Sequence, residues 1–293
     1  MLADVIEQDT LTQTIDEAQG LAQYPLSQTR RFEATAAYSR YSFKEEIERV
    51  VFVGNDIIED SRHRVPSGDS LSLVEGGLAY VGDNSQFGFL SPVRGGRMRL
   101  EVDQTSGDLA FTTALADLRR YFFMRPLTLA FRVLHYGRYG NDAENNRISP
   151  LFIGDEWLVR GYAAGDIRLS ECTQVPGSAA CPEFDRLIGS RIAVFNAELR
   201  VPLFGVEEFG LIKLRQLPTE LAIFGDIGAA WNQGDSVRWS FDRHATDRVP
   251  VASAGVAARI LLLGALPLEF YYAKPFQRPK ESGVFGFLIT PGW

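Results

Sequence analysis

The sequence predicts an all-β protein, an antiparallel transmembrane barrel of the outer-membrane type, and three observations carry that expectation. Apolar residues recur at every second position through stretch after stretch, which is the period of a strand whose side chains alternate between two faces. Several stretches run past ten residues, longer than the five or six usual in soluble sheets and in the range of a tilted membrane-spanning strand. The chain closes on Phe287, Leu288, Ile289, Thr290, Pro291, Gly292 and Trp293, an alternating strand that stops on an aromatic. A strand lying against lipid needs that apolar outer face and that interfacial ring.

In chain order, residues 1–28 read as an irregular or helical segment, because Thr14 to Gln23, with Asp16 and Glu17, does not alternate. The barrel domain is expected over residues 29–293. Its strands are expected at Arg31 to Phe43, Glu46 to Val53, Ser70 to Gly82, Arg97 to Gln104, Leu109 to Phe122 and Leu127 to Tyr136. Five more follow at Arg191 to Leu203, Glu220 to Trp231, Val251 to Leu262, Leu268 to Lys274 and Val284 to Trp293, making eleven. Their faces are distinct. Ala193, Phe195, Ala197, Leu199 and Val201 oppose Asn196, Glu198 and Arg200, and Met98, Leu100 and Val102 oppose Arg97, Arg99, Glu101 and Asp103. Leu127, Leu129, Phe131 and Val133 likewise oppose Thr128, Ala130, Arg132 and Leu134. A soluble sandwich alternates too, so the connections discriminate. Short turns after Phe43, Gln104, Phe122 and Leu262 contrast with long loops over Asn55 to Asp69, Gly140 to Gly189 and Asn232 to Arg248, the habit of outer-membrane barrels.

Composition narrows the alternatives. Twenty Phe, ten Tyr and four Trp are more than a helical bundle would explain, and the Gly and Pro fall mostly between apolar stretches, as turns require. A net charge of −7 with no concentrated basic face argues against nucleic acid as a partner. The longest apolar run, Ile260 to Leu266, is broken by Gly264 and Pro267, far short of the eighteen or so residues of a membrane helix. Met1 to Tyr24 carries Asp4, Glu7, Asp9, Asp16 and Glu17 and does not read as a secretory signal. Eleven strands do not close a barrel of even strand number, so either further strands lie upstream of Met1 or the first thirty residues hide one and the barrel is smaller; the first is favoured, with an export signal upstream as well.

Cys172 and Cys181 stand nine positions apart in a loop with no neighbouring His, too few ligands for a metal; a loop disulfide is favoured over two free thiols. No metal and no cofactor is expected. His63, His135 and His244 are scattered, and no Gly-x-Ser-x-Gly or phosphate-binding glycine loop occurs, so no enzyme is predicted. The paired carboxylates Glu45 and Glu46, and Glu207 and Glu208, read as solvated turns.

The stretch Leu151 to Tyr162, ending Val159, Arg160, Gly161 and Tyr162, resembles the loop motif of the bacterial surface antigen family, with Asp155 where a second glycine is usual. Phe224, Gly225, Asp226, Ile227 and Gly228 are similar to that family's Phe-x-Asp-x-Gly strand. Asn196 to Arg200, Tyr272 to Pro275 and the Phe287, Ile289, Trp293 ending are similar to other strands of it. The resemblance covers residues 148–293. It implies the C-terminal part of a sixteen-stranded barrel in the outer membrane of a Gram-negative-type bacterium, one that inserts or translocates polypeptides. Partners implied are outer-membrane lipid, a polypeptide cargo, and barrel-assembly machinery recognising Phe287, Ile289 and Trp293.

The resemblance further implies that the 140–189 loop folds inward and that its arginine is held on the wall. Alternation turns Asp226 and Glu198 toward the lumen, where the planar fork of Arg160 could meet both, with Gly161 and Gly228 allowing close approach and Tyr162 beside them. An outer-membrane anchor for an upstream soluble domain is the alternative function; a soluble all-β binding protein is a third.

Overall fold

The computed structural model describes residues 4–53, 56–65, 69–173, 181–205, 210–214, 216–245 and 247–289. Its first eight strands are β1 (Asp4–Ser27), β2 (Arg30–Val53), β3 (Asp56–Val65), β4 (Leu71–Asp83), β5 (Gln86–Phe87), β6 (Pro92–Gly107), β7 (Phe111–Met124) and β8 (Leu127–Tyr139). Within the long loop lie β9 (Leu151–Phe152), a helical turn α1 (Pro182–Asp185) and β10 (Ile188–Gly189). The chain continues through β11 (Arg191–Gly205), β12 (Ile212–Lys213), β13 (Thr219–Trp231), β14 (Val251–Leu262), β15 (Leu266–Pro275) and β16 (Val284–Ile289).

One sheet holds nearly everything, in the order β1-β2-β4-β6-β7-β8-β11-β13-β14-β15-β16, every neighbour antiparallel. Among the described residues β1 pairs only with β2, and β16 only with β15. The sheet wraps around a polar interior. Lipid-side residues such as Leu78, Val102, Val133, Ile223, Val256 and Phe285 are exposed, while their inward neighbours Ala79, Asp103, Arg132, Phe224, Ala257 and Val284 are buried. This inversion, apolar out and charged in, is what a lipid solvent selects and water does not.

Several expected elements are corrected. Residues 1–28 are not irregular or helical where described: Asp4–Ser27 is a 24-residue strand. The turn expected after Phe43 is absent, and Arg31 to Phe43 and Glu46 to Val53 are one strand, β2. Charged residues interrupt the pattern there without interrupting the backbone, because β1 and β3 pair with β2 from both sides. Glu45 and Glu46 therefore stand in a ladder rather than a turn, whereas Glu207 and Glu208 lie outside the described residues. The presumed loop over Asn55 to Asp69 contains β3. The short turn after Gln104, residues 108–110, lies at the same end of the sheet as the long loops, so that end is not uniformly long-looped.

β2 pairs with β4 only through Tyr41; its remaining twelve residues project with β1 and β3 as a three-stranded ribbon beyond the long-loop end. At the opposite end sit turns of two or three residues, 28–29, 125–126 and 263–265.

Candidate functional site

Four adjacent strands build the inner wall that receives the loop. Their registers place Asn196, Asp226 and Ser253 in one row, Glu198, Phe224 and Gly255 in the next, and Glu220, Arg259 and Glu269 in a row further toward the short turns. Alternation turns all of these inward, so charges from separate strands converge on one patch.

Arg160 enters that patch from the loop. Its Nε donates to Asp226 Oδ2 at 2.8 Å and a terminal nitrogen to Oδ1 at 2.9 Å, the bidentate fork that a planar guanidinium forms with a carboxylate. Its backbone N–H adds a third bond to the same carboxylate at 3.2 Å. Its remaining nitrogen reaches Glu198 at 2.8 Å and Glu269 at 3.2 Å, and the guanidinium carbon stands 3.5 Å from the centre of the Phe224 ring. Burial works against the charge of Arg160, but the carboxylates of Asp226 and Glu198 outweigh it and raise its pKa. Asp226 has no exposed surface and Arg160 and Glu198 almost none.

A second layer continues the network. Arg259 bonds Glu198 at 2.9 Å, Glu220 at 3.1 Å and Glu269 at 2.6 Å, Arg200 bonds Glu198 at 2.7 Å, and the Ser91 hydroxyl donates to Glu220. Three guanidiniums thus meet four carboxylates, each held from more than one side. Charges taken out of water need that degree of pairing, because a lone buried ion costs several kcal/mol. Asn196 ties the loop to the same patch, its Nδ2 donating to Asp226 and to the Leu158 carbonyl.

The backbone makes room for the contact. Gly161 has φ +88°, in the left-handed region that favours glycine, and a Cβ there would press on Ala273 at 3.2 Å. At Gly228 a Cβ would stand 2.7 Å from the Val159 side chain, so the wall is hollow where the loop seats. Tyr162 is fully buried, donating to the Ala252 carbonyl and accepting from the Gln277 backbone N–H. Around it Ile153, Val159, Leu187, Val194 and Val251 form the largest apolar cluster.

The structure therefore brings Arg160, Gly161, Tyr162, Asp226, Gly228 and Glu198 together. Cys172 and Cys181 are bonded to one another further along the same loop. Beside them Arg278, in the β15–β16 connection, pairs with Glu171 at 2.8 Å and donates to the Gly161 carbonyl. At the chain end, Phe287 and Ile289 point outward on β16, while Trp293 lies outside the described residues. Sequence reasoning missed Arg259, Glu220, Glu269, Arg278 and Glu171. A charged residue at an inward position of an otherwise small or apolar face, such as Arg259 after Ser253 and Ala257, was the available signal.

A family model described as the Omp85 superfamily domain matches residues 12–292. The chain is similar to the solved structure of BamA from Haemophilus ducreyi lacking POTRA domains 1-3, with 12% identity and a TM-score of 0.51, over 96% of this chain and 62% of that one. CdiB from Acinetobacter baumannii shows 14% identity and a TM-score of 0.42, over 97% of this chain and 49% of that one. The chain thus spans less than two thirds of the length of either structure. No curated protein matches it.

Proposed function

The chain belongs to the Omp85 superfamily of outer-membrane barrels, and from that premise we propose that it inserts or translocates polypeptides through a lumen closed by its inward loop. The observation that carries the reading is the seating of Arg160. A loop that served only as an outer cap would leave that guanidinium in water, whereas here it meets three carboxylates contributed by three different strands. The interaction is many-bodied and local, so the loop can release as a unit when its contacts are exchanged for others. Transport would be driven by folding or binding of the cargo.

The test is electrical and uses the full-length protein in planar bilayers. Removing residues 141–187 is expected to raise the mean conductance several-fold, and Arg160→Gln is expected to produce intermittent openings to that level. Unchanged conductance in both variants would overturn the gated lumen and favour the reading of an outer-membrane anchor. Insertion or transport of a polypeptide by the reconstituted protein is the second arm.

A further inference from the structure

The lipid-facing wall is not uniformly apolar. Near the short-turn end, its outward face carries Arg30, which shares a side of β2 with the exposed Phe32, and Arg120, which lies between the exposed Leu118 and Phe122 on β7. Arg94, at the start of β6, is exposed beside them. Neither Arg30 nor Arg94 makes a hydrogen bond or ion pair among the described residues, and Arg120 meets only the Phe122 ring, at 5.6 Å. A charge on a lipid-facing wall is costly at the bilayer midplane and tolerated near the interface, where lipid headgroups can answer it.

These arginines also border a built cavity. Gly82 and Gly96 occupy outward positions of β4 and β6 beside a trough of about 460 Å³; a Cβ at Gly82 would stand 3.2 Å from Met98, and one at Gly96 would meet the Arg119 carbonyl oxygen at 2.6 Å. Arg30, Arg97 and Arg120 rim it, and Met98, Leu118 and Val133 form its apolar wall. A second cavity of about 730 Å³ adjoins it, sharing Arg120 and Phe131 and adding Arg94 and Phe122. One carboxylate, Asp83, faces the same space; it is engaged by Ser85 and lies 3.9 Å from Arg97.

We propose that this trough binds an anionic phospholipid of the periplasmic leaflet, its phosphate between Arg30 and Arg120 and an acyl chain along Met98, Leu118 and Val133. Three things favour the assignment. Among the described residues the Arg30 and Arg94 side chains have no polar partner, and Arg120 meets only a ring. Met98, Leu118 and Val133 face the bilayer on the cross-strand row that holds Arg30, one row further from the short turns than Arg120. Short turns mark the periplasmic end of outer-membrane barrels, where phosphate headgroups lie level with this rim. Guanidinium forks are suited to phosphate, and Arg94 adds positive potential without occupying the centre.

Native mass spectrometry of the full-length protein tests this with phosphatidylglycerol and, as the zwitterionic control, phosphatidylethanolamine. The wild type is expected to retain phosphatidylglycerol preferentially. The Arg30→Gln, Arg120→Gln double variant is expected to lower its apparent affinity about tenfold or more, as loss of charge-assisted bonds implies. Gly82→Leu should do the same with every arginine intact, since the nearest atoms to its Cβ belong to the flexible Met98 side chain, at 3.2 Å, and the Thr29 carbonyl stands at ordinary contact distance. Equal retention of both lipids, wild-type affinity in either folded variant, or displacement of phosphatidylglycerol by inorganic phosphate at matched concentration would overturn the site. Heat-modifiable migration reports folding; should the double variant lose it, Gly82→Leu decides alone.

Discussion

At the scale of single residues, Arg160 is constrained by more partners than the sequence could announce. Its pairing with Asp226 and Glu198 was legible, because the Val-Arg-Gly-Tyr loop and the Phe-x-Asp-x-Gly strand are local patterns and alternation gives each carboxylate its direction. Glu269, Glu220 and Arg259 were not, because which inward residues meet is decided by cross-strand register. The difference changes how the contact is tested. An Arg160→Glu substitution would set a carboxylate beside Glu198 and Glu269 as well as Asp226, so adding Asp226→Arg is not expected to restore stability. A cycle of Arg160→Gln and Asp226→Asn is the cleaner measurement. Each single change is expected to cost about 3–5 kcal/mol in urea unfolding of the detergent-solubilised protein, and the double less than the sum. Additive losses would show that the two do not interact. Gly228→Val places two methyls against Val159 and is expected to weaken loop seating by about 1–3 kcal/mol, read as faster proteolysis within residues 141–187.

At the scale of elements, strands with one buried face were readable, and those with both faces exposed were not. β1 was missed because the described side chains of residues 7–27 are exposed on both faces, so no burial selects an apolar period. β2 was cut in two because Lys44, Glu45 and Glu46 interrupt its pattern; there the sheet lies beyond the lipid, and Arg62 on β3 pairs across the ladder with Glu48 at 2.9 Å. The loop itself is pinned at a second point, where burial raises the pKa of Glu171 but its bonds to Arg278 lower it further, leaving it below the ordinary carboxylate value. A depressed carboxylate contributes stability that is complete above its unfolded pKa and lost as the pH falls through the folded one. Loop docking is therefore expected to be unchanged from neutral pH to about 5 and to loosen only below the usual carboxylate range near 4. Arg278→Gln should remove the depression, weakening loop docking already at neutral pH and flattening its loss on acidification, measured as conductance against pH.

At the scale of the whole molecule, the outward apolar band and the inward charges make one prediction about behaviour in bulk. The protein is expected in the detergent-extracted outer-membrane fraction, migrating faster on gels before heating than after; recovery from the soluble fraction would contradict the fold's lipid-facing surface. The ribbon of β1, β2 and β3 has a different consequence. β2 has 24 residues, so it is about 80 Å long and, tilted as barrel strands are, rises about 60 Å, against an apolar band of about 25 Å. Its last twelve residues stand clear of the bilayer, like a mast rising from a hull. The long-loop end of outer-membrane barrels faces outward, so such a mast is expected to present its side chains to reagents outside the cell. A cysteine introduced by His63→Cys is expected to react with a membrane-impermeant maleimide on intact cells, against a silent background because both native cysteines are already bonded to each other.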